Sequence, residues 1–419
     1  MQVEAVSGEG AHNHPDAVRM GWIAGISHNM IIGCLMGSFS VMLESVETRM
    51  GVTREMSSSV GALVIFGSAL IGAIVGPMMS KYSLRLLLFA GAMLSVIGYL
   101  LLALTTSYPV YLGSYLLLFG PSMAIAGSIG PATLVTRWYS RNRGLALGLV
   151  HLSIVVAIMP LLSNWVLENY GAQAVYLMLA ALVGLCLVPL TLAVRDYPPG
   201  ADPQAMAKTR GADTTAGSLT VGQILRRPAF WALAIAAGAI ITAIMVLTFN
   251  MIPIAESLGI DRGRGALLAS IMSFSGMAGS ILFGWVADRI GGARGIALLA
   301  FNFAVLMGLL QLQMPYPVLA VVMGLLGLHG AGMVPNVSRA LAFSLGKDSF
   351  SRAFGLQAAL SVPFTIVGIW AMGAAFTRTG SYSMALAAVA VLLLAVVPIA
   401  LWAARKPAES RGADALIAV

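Results

Sequence analysis

Long apolar runs, each near 20 positions, alternate along the chain with short polar loops. A hydrocarbon core takes roughly 20 apolar residues of α-helix, and a helix satisfies its own backbone where water is absent. The pattern predicts spans at Trp22–Leu43, Val60–Met79, Leu86–Leu104, Val110–Val135, Leu145–Val166 and Val175–Val194. A second set follows at Phe230–Ile254, Ala266–Val286, Ile296–Leu312, Val318–Val337, Ala353–Phe376 and Ser383–Ala403. A barrel is excluded, because barrel strands are short and alternate apolar with polar. The fold class is all-α integral membrane: twelve transmembrane helices in two pseudo-symmetric six-helix halves.

The one long polar stretch, Arg195–Pro228, reads as a linker. The expected division is a tail at 1–20, a first half at 21–195, a linker at 196–228, a second half at 229–405 and a tail at 406–419. A 6+6 pattern of this kind is that of two-halved secondary transporters. Gly33–Gly37, Gly72–Gly76 and Gly144–Gly148 have the spacing of helix-contact faces.

Composition agrees: 10% of the 419 residues are charged and 59% hydrophobic, with a mean hydropathy of +0.90. The net charge of +8 suggests nucleic acid until its placement is considered. Of the 24 Lys and Arg, all but Arg49, Arg54, Arg262, Arg264 and Arg378 fall in the tails and in the loops on the side of the termini. That is the positive-inside pattern, so both termini are expected in the cytoplasm, in a bacterial inner membrane, and no nucleic acid is bound. Cys34 and Cys186 lie within apolar spans and read as packing residues. The first 20 residues have no apolar core of a signal peptide. No P-loop and no metal-ligand spacing occurs. The expectation is a carrier or channel, not an enzyme, with no cofactor and no metal. Its expected partners are the lipid bilayer, a small-molecule substrate and a coupling proton, and its expected state is a monomer.

The loop after the eighth span reads Gly284-Trp-Val-Ala-Asp288-Arg289-Ile-Gly-Gly-Ala-Arg294. Its counterpart after the second span keeps Gly76, Lys81 and Arg85, with Ser80 in place of the acid. Carboxylate and basic groups at helix ends make a latch there, favoured by the helix dipoles. Between spans four and five stands Arg137-Trp-Tyr-Ser-Arg-Asn-Arg143-Gly, echoed by Ser351-Arg352-Ala-Phe-Gly at the start of span eleven. The first pair of loops resembles the major facilitator superfamily signature. The second resembles its monocarboxylate and oxalate/formate carriers.

That resemblance implies a central cavity lined by spans one, four, seven and ten. It also implies a Lys in span one and an Asp and an Arg in span eight; Gly37, Gly276 and Ser280 stand at those positions. Ionisable residues inside spans are functional candidates by default, and the histidines stand out: His28, His151 and His329. Histidine titrates near working pH, so it can hold an anion or carry a proton; the alternative is a neutral ring bonded to a neighbouring helix. The candidate substrate set is His28, Asn29, Tyr115, Phe119, Asn250, Ser273, Ser280, His329 and Asn336, with Thr248 near Asn250. The function expected is secondary transport of a small organic anion, a carboxylate, by alternating access. The alternative is an exporter of neutral or cationic amphiphiles.

Overall fold

The computed structural model describes residues 14–139, 143–152, 154–200, 219–346 and 349–405. Most of the predicted linker and tails, and Arg141, lie outside these residues, as do the side chains of Ser80 and Arg143. All regular structure among the described residues is helical. Helix ends follow local chemistry. Thr53 and Asp261 side chains accept backbone N–H groups of the first turns they precede. Pro109, Pro228 and Pro317 open helices where a missing N–H is harmless. Gly51 and Gly380 close helices in the left-handed conformation.

Among the described residues eleven helical stretches are long and apolar enough to cross a membrane, against the twelve spans read from the sequence. The difference lies in Leu145–Leu192, a 48-residue stretch that contains predicted spans five and six. At about 1.5 Å per residue it is far longer than one crossing requires. Its backbone leaves the helix at Gly171 (φ 81°, ψ 174°), where the direction of the chain changes.

Two large buried clusters make most of the core, and a small third one joins Val41 to Ile252 and Ala266. One of the large clusters gathers Ala17 to Val194 together with Phe249 and Ile369; the other runs from Ile224 to Ala403. Phe249 and Ile369 thus carry the second half into the core of the first.

The three glycine pairs behave differently. A Cβ on Gly33 would fall 2.4 Å from Val155 Cβ, and one on Gly37 would fall 2.9 Å from the Val156 carbonyl oxygen, so spans one and five touch there. The same contact explains why no lysine stands at Gly37: its stem has no room. Among the described residues nothing lies within 4 Å of a Cβ on Gly76 or Gly148, whereas one on Gly72 would meet Ile129 at 3.5 Å; the surroundings of Gly144 lie outside the described residues. Spacing defines a face but not the neighbour that covers it.

At the face bearing the termini, Asp196 works on a helix distant in sequence. Its carboxylate accepts the N–H groups of Leu84 (3.0 Å) and Arg85 (3.0 Å) and the Ser83 hydroxyl (3.2 Å), capping helix Leu84–Leu104 from beyond span six. It supplies the negative charge that Ser80 does not. Arg137, 5% exposed, donates to the Met79 carbonyl (2.5 Å) and lies over Tyr197 (4.3 Å). Asp196→Ala is expected to lower unfolding stability by about 1–2 kcal/mol, the usual cost of a lost N-cap. Thermal unfolding in detergent measures it, and an unchanged midpoint would deny the cap its role.

Candidate functional site

Predicted span five is broken. Helix Arg143–Val150 stops, and a new helix runs Ile154–Leu182. His151 and Leu152 lie between them in non-helical backbone. Span one carries a π-helical segment at the same level, Asn29–Gly33. Such bulges are frequent where function needs irregular backbone. Asn29 joins the two irregularities: its Oδ1 accepts the Val155 N–H (3.1 Å) and its Nδ2 donates to the Gly25 carbonyl (3.0 Å). Both ends of this amide therefore hold structure.

Beside the break lies a cavity of about 530 Å³ between the halves, reached by His151 and Val156 of span five, Thr248 of span seven, Ser273 and Ser280 of span eight, and Pro335 of span ten. Spans one and four, which the resemblance places at the cavity, contribute no lining residue; spans five and eight take their place. Each lining hydroxyl donates to its own helix: Thr248 to Ile244 (2.9 Å), Ser273 to Ala269 (3.0 Å) and Ser280 to Met277 (3.2 Å). These groups offer a ligand lone pairs rather than hydrogens. The remaining wall is mostly aliphatic and glycine.

The predicted residues divide sharply. Ser273 and Ser280 line the cavity. His28 is buried one layer behind it. Its Nδ1 lies 2.6 Å from the Gly127 carbonyl, and its ring centroid is 4.6 Å from that of His151, which does line the cavity. Tyr115 and Phe119 are buried in the first half, within a run of rings that includes Tyr99, Tyr111 and Phe39. Asn250 is fully buried, bonding the Val246 carbonyl. His329 has both nitrogens engaged: Nδ1 with the Leu325 carbonyl (2.7 Å) and Nε2 with the Asn302 amide (3.1 Å). That pattern makes it a neutral ring with Nδ1 protonated. Asn336 bonds the carbonyls of Phe283 and Gly332. His329 and Asn336 tie neighbouring helices together, Asn250 bonds within its own helix, and none of these side chains lines the cavity.

The face opposite the termini, the distal face, is closed by charged residues that sequence reading left as loop ends. Arg262 pairs with Glu256 of its own half and with Glu44 of the other. Arg54 pairs with Glu47, donates to the Tyr382 hydroxyl (3.2 Å) in the other half, and lies 5.2 Å from the Phe376 ring centroid. Burial pushes the Tyr382 phenol up to about 12, so it stays protonated at working pH and the contact does not titrate. The signal available in the sequence was Glu44 and Glu47, one turn apart at the end of span one.

In the second-half signature loop, Asp288 pairs with Arg339 from the end of span ten, and Arg289 stacks on Trp285 (4.0 Å). Arg352 donates to the Leu219 carbonyl, tying span eleven to the end of the linker.

Known proteins are similar to this chain in sequence or in fold. The chain is 26% identical over 220 residues to the oxalate:formate antiporter of Oxalobacter formigenes; the match covers 52% of this chain and about half (50%) of that one. It is 27% identical over 334 residues to monocarboxylate transporter 13 of Bos taurus, covering 77% of this chain and 75% of the relative. Among solved structures, a bacterial homolog of the human lysosomal transporter Spinster, inward-facing and occupied, superposes with a TM-score of 0.70. That alignment covers 95% of this chain and 99% of the homolog at 13% identity, which speaks to the fold alone. The family model described as Major Facilitator Superfamily matches residues 22–360, and the chain belongs to that superfamily.

Proposed function

We propose that this protein is a monomeric secondary carrier of a small organic carboxylate with an apolar body, working by alternating access with a proton as coupling ion. The observation that carries the reading is the cavity between the halves: mostly apolar, with one histidine on its wall and a distal side held shut by the Arg262–Glu44 ion pair and the Arg54–Tyr382 hydrogen bond. An apolar body fits the aliphatic wall, and a protonated histidine fits a carboxylate. The two named relatives favour carboxylates as the substrate class. The basic face bearing the termini is read as cytoplasmic, so the closed distal face looks outward.

Proteoliposomes test this. With the interior alkaline, labelled lactate, oxalate or phenylacetate is expected to accumulate above its equilibrium level, and collapsing the pH gradient should abolish the excess. Transport of amphiphilic amines alone would replace this reading with the exporter. That alternative has its own support: the lining hydroxyls present lone pairs, which suit a ligand bearing N–H groups. Binding without net flux would leave a sensor.

A further inference from the structure

We infer that His28 and His151 form one proton-and-anion site at the break in span five, so that a carboxylate enters the cavity only together with a proton. The inference deepens the anion-carrier reading and rests on it. The hydrogen bonds set the chemistry. Nδ1 of His28 lies 2.6 Å from the Gly127 carbonyl, and Nδ1 of His151 lies 2.8 Å from the Leu147 carbonyl. A carbonyl only accepts, so each Nδ1 carries the hydrogen and each Nε2 of the neutral rings is a lone pair.

The neutral wall is therefore short of donors. Thr248, Ser273 and Ser280 donate to their own helices, and among the described residues no Lys or Arg lines the cavity. A carboxylate is acceptor-only, so it meets no partner until a proton arrives. A proton taken up from solution at Nε2 creates the missing donor. A cation there is costly without a counter-charge, and the carboxylate is that counter-charge. Proton and anion thus favour each other's binding reciprocally. With the ring centroids 4.6 Å apart, two cations would repel, which limits the pair to one proton. The helix restarting at Ile154 adds its positive end at the same place.

Among the described residues, the other charged groups on the elements packed around the pair stand toward the span ends, and Cys34, Tyr115 and Tyr176 are buried in the first-half core. Arg19, Arg137 and Tyr139 lie toward the terminal ends of spans one and four. Glu44, Glu47, Arg49 and Glu168 lie toward the distal ends. Across the cavity, His329 is bonded to Asn302 and Leu325, and the lining there contributes no other titratable side chain.

Calorimetry on the full chain in lipid nanodiscs, in two buffers of different ionisation enthalpy, counts the protons. The probes are phenylacetate, its neutral amide phenylacetamide and the cation phenethylamine. Phenylacetate is expected to bind with proton uptake, its apparent affinity falling as pH rises by up to about tenfold per pH unit. His151→Gln is expected to remove both the proton uptake and the pH dependence. Phenylacetate binding without proton uptake, or unchanged proton uptake in His151→Gln, overturns the histidine pair while leaving the carboxylate reading intact. Binding of phenethylamine alone, or of none of the three, overturns both. Should the variant not fold, the proton count of the unaltered protein decides.

Discussion

Arg54→Met is expected to unlock the distal face. Arg54 is 10% exposed and its partner Glu47 18%, so the cluster is largely out of water, where pairing is strong and its loss costly. The substitution keeps the aliphatic stem but removes the cross-half bond to the Tyr382 hydroxyl and the contact with the Phe376 ring. Hydrogen bonds to charged groups are each worth about 1.5–3 kcal/mol. A loss of about 2 kcal/mol from the closed state alone multiplies the open fraction by about 30. Ser58 reports it well: it is fully buried, and a Cβ on Gly373 would meet its Oγ at 2.1 Å, so the halves are in contact there. In a background lacking Cys34 and Cys186, a cysteine at position 58 should react with a membrane-impermeant thiol reagent at least tenfold faster once Arg54 is replaced. An unchanged rate would mean that apolar packing alone keeps the face shut. Arg262→Met is expected to do less, about 1 kcal/mol, because Glu44 is 53% exposed and its pair is screened by solvent.

Gly327→Val should do the most structural damage. A Cβ there would lie 1.8 Å from the Met272 carbonyl oxygen, and one on Gly279 would lie 2.0 Å from the Leu328 carbonyl oxygen. Spans eight and ten therefore approach backbone to backbone, with no flexible side chain to yield. Overpacking a well-fitted interior costs about 1–3 kcal/mol; here two helices must move apart, so a loss of at least about 3 kcal/mol is expected, together with a reshaped cavity wall. Thermal unfolding and the yield of folded protein in detergent measure it. Gly355→Ala is the control: nothing lies within 4 Å of its Cβ, and helix propensity alone predicts a gain of about 0.5–1 kcal/mol. Equal losses in the two variants would contradict close packing at Gly327.

The spans were legible in the sequence because a membrane demands long apolar helices, a constraint that acts on each segment without reference to its neighbours. The site was less so, because it depends on which neighbours meet. His151 and His329 are both lone histidines in apolar predicted spans, yet Asn302 from span nine engages one while the other reaches the cavity. Nothing in the local sequence of either announces the difference. Tyr115 has the spacing of a cavity residue on span four, but it is buried in the first-half core, in a span that carries two π-helical segments, Tyr115–Phe119 and Met123–Ile129. The distal charges were visible as residues but not as a cluster, since Glu44 and Arg262 are separated by most of the chain.

Asp196 sets an order of events during synthesis. Helix Leu84–Leu104 leaves the ribosome more than ninety residues before the carboxylate that caps it, so the first half stays unfinished until the opening residues of the linker have emerged. A gene divided after Gly200 would deliver that carboxylate with its helix. A gene divided after Arg195 would leave the two on separate chains, although both cuts fall outside every predicted span.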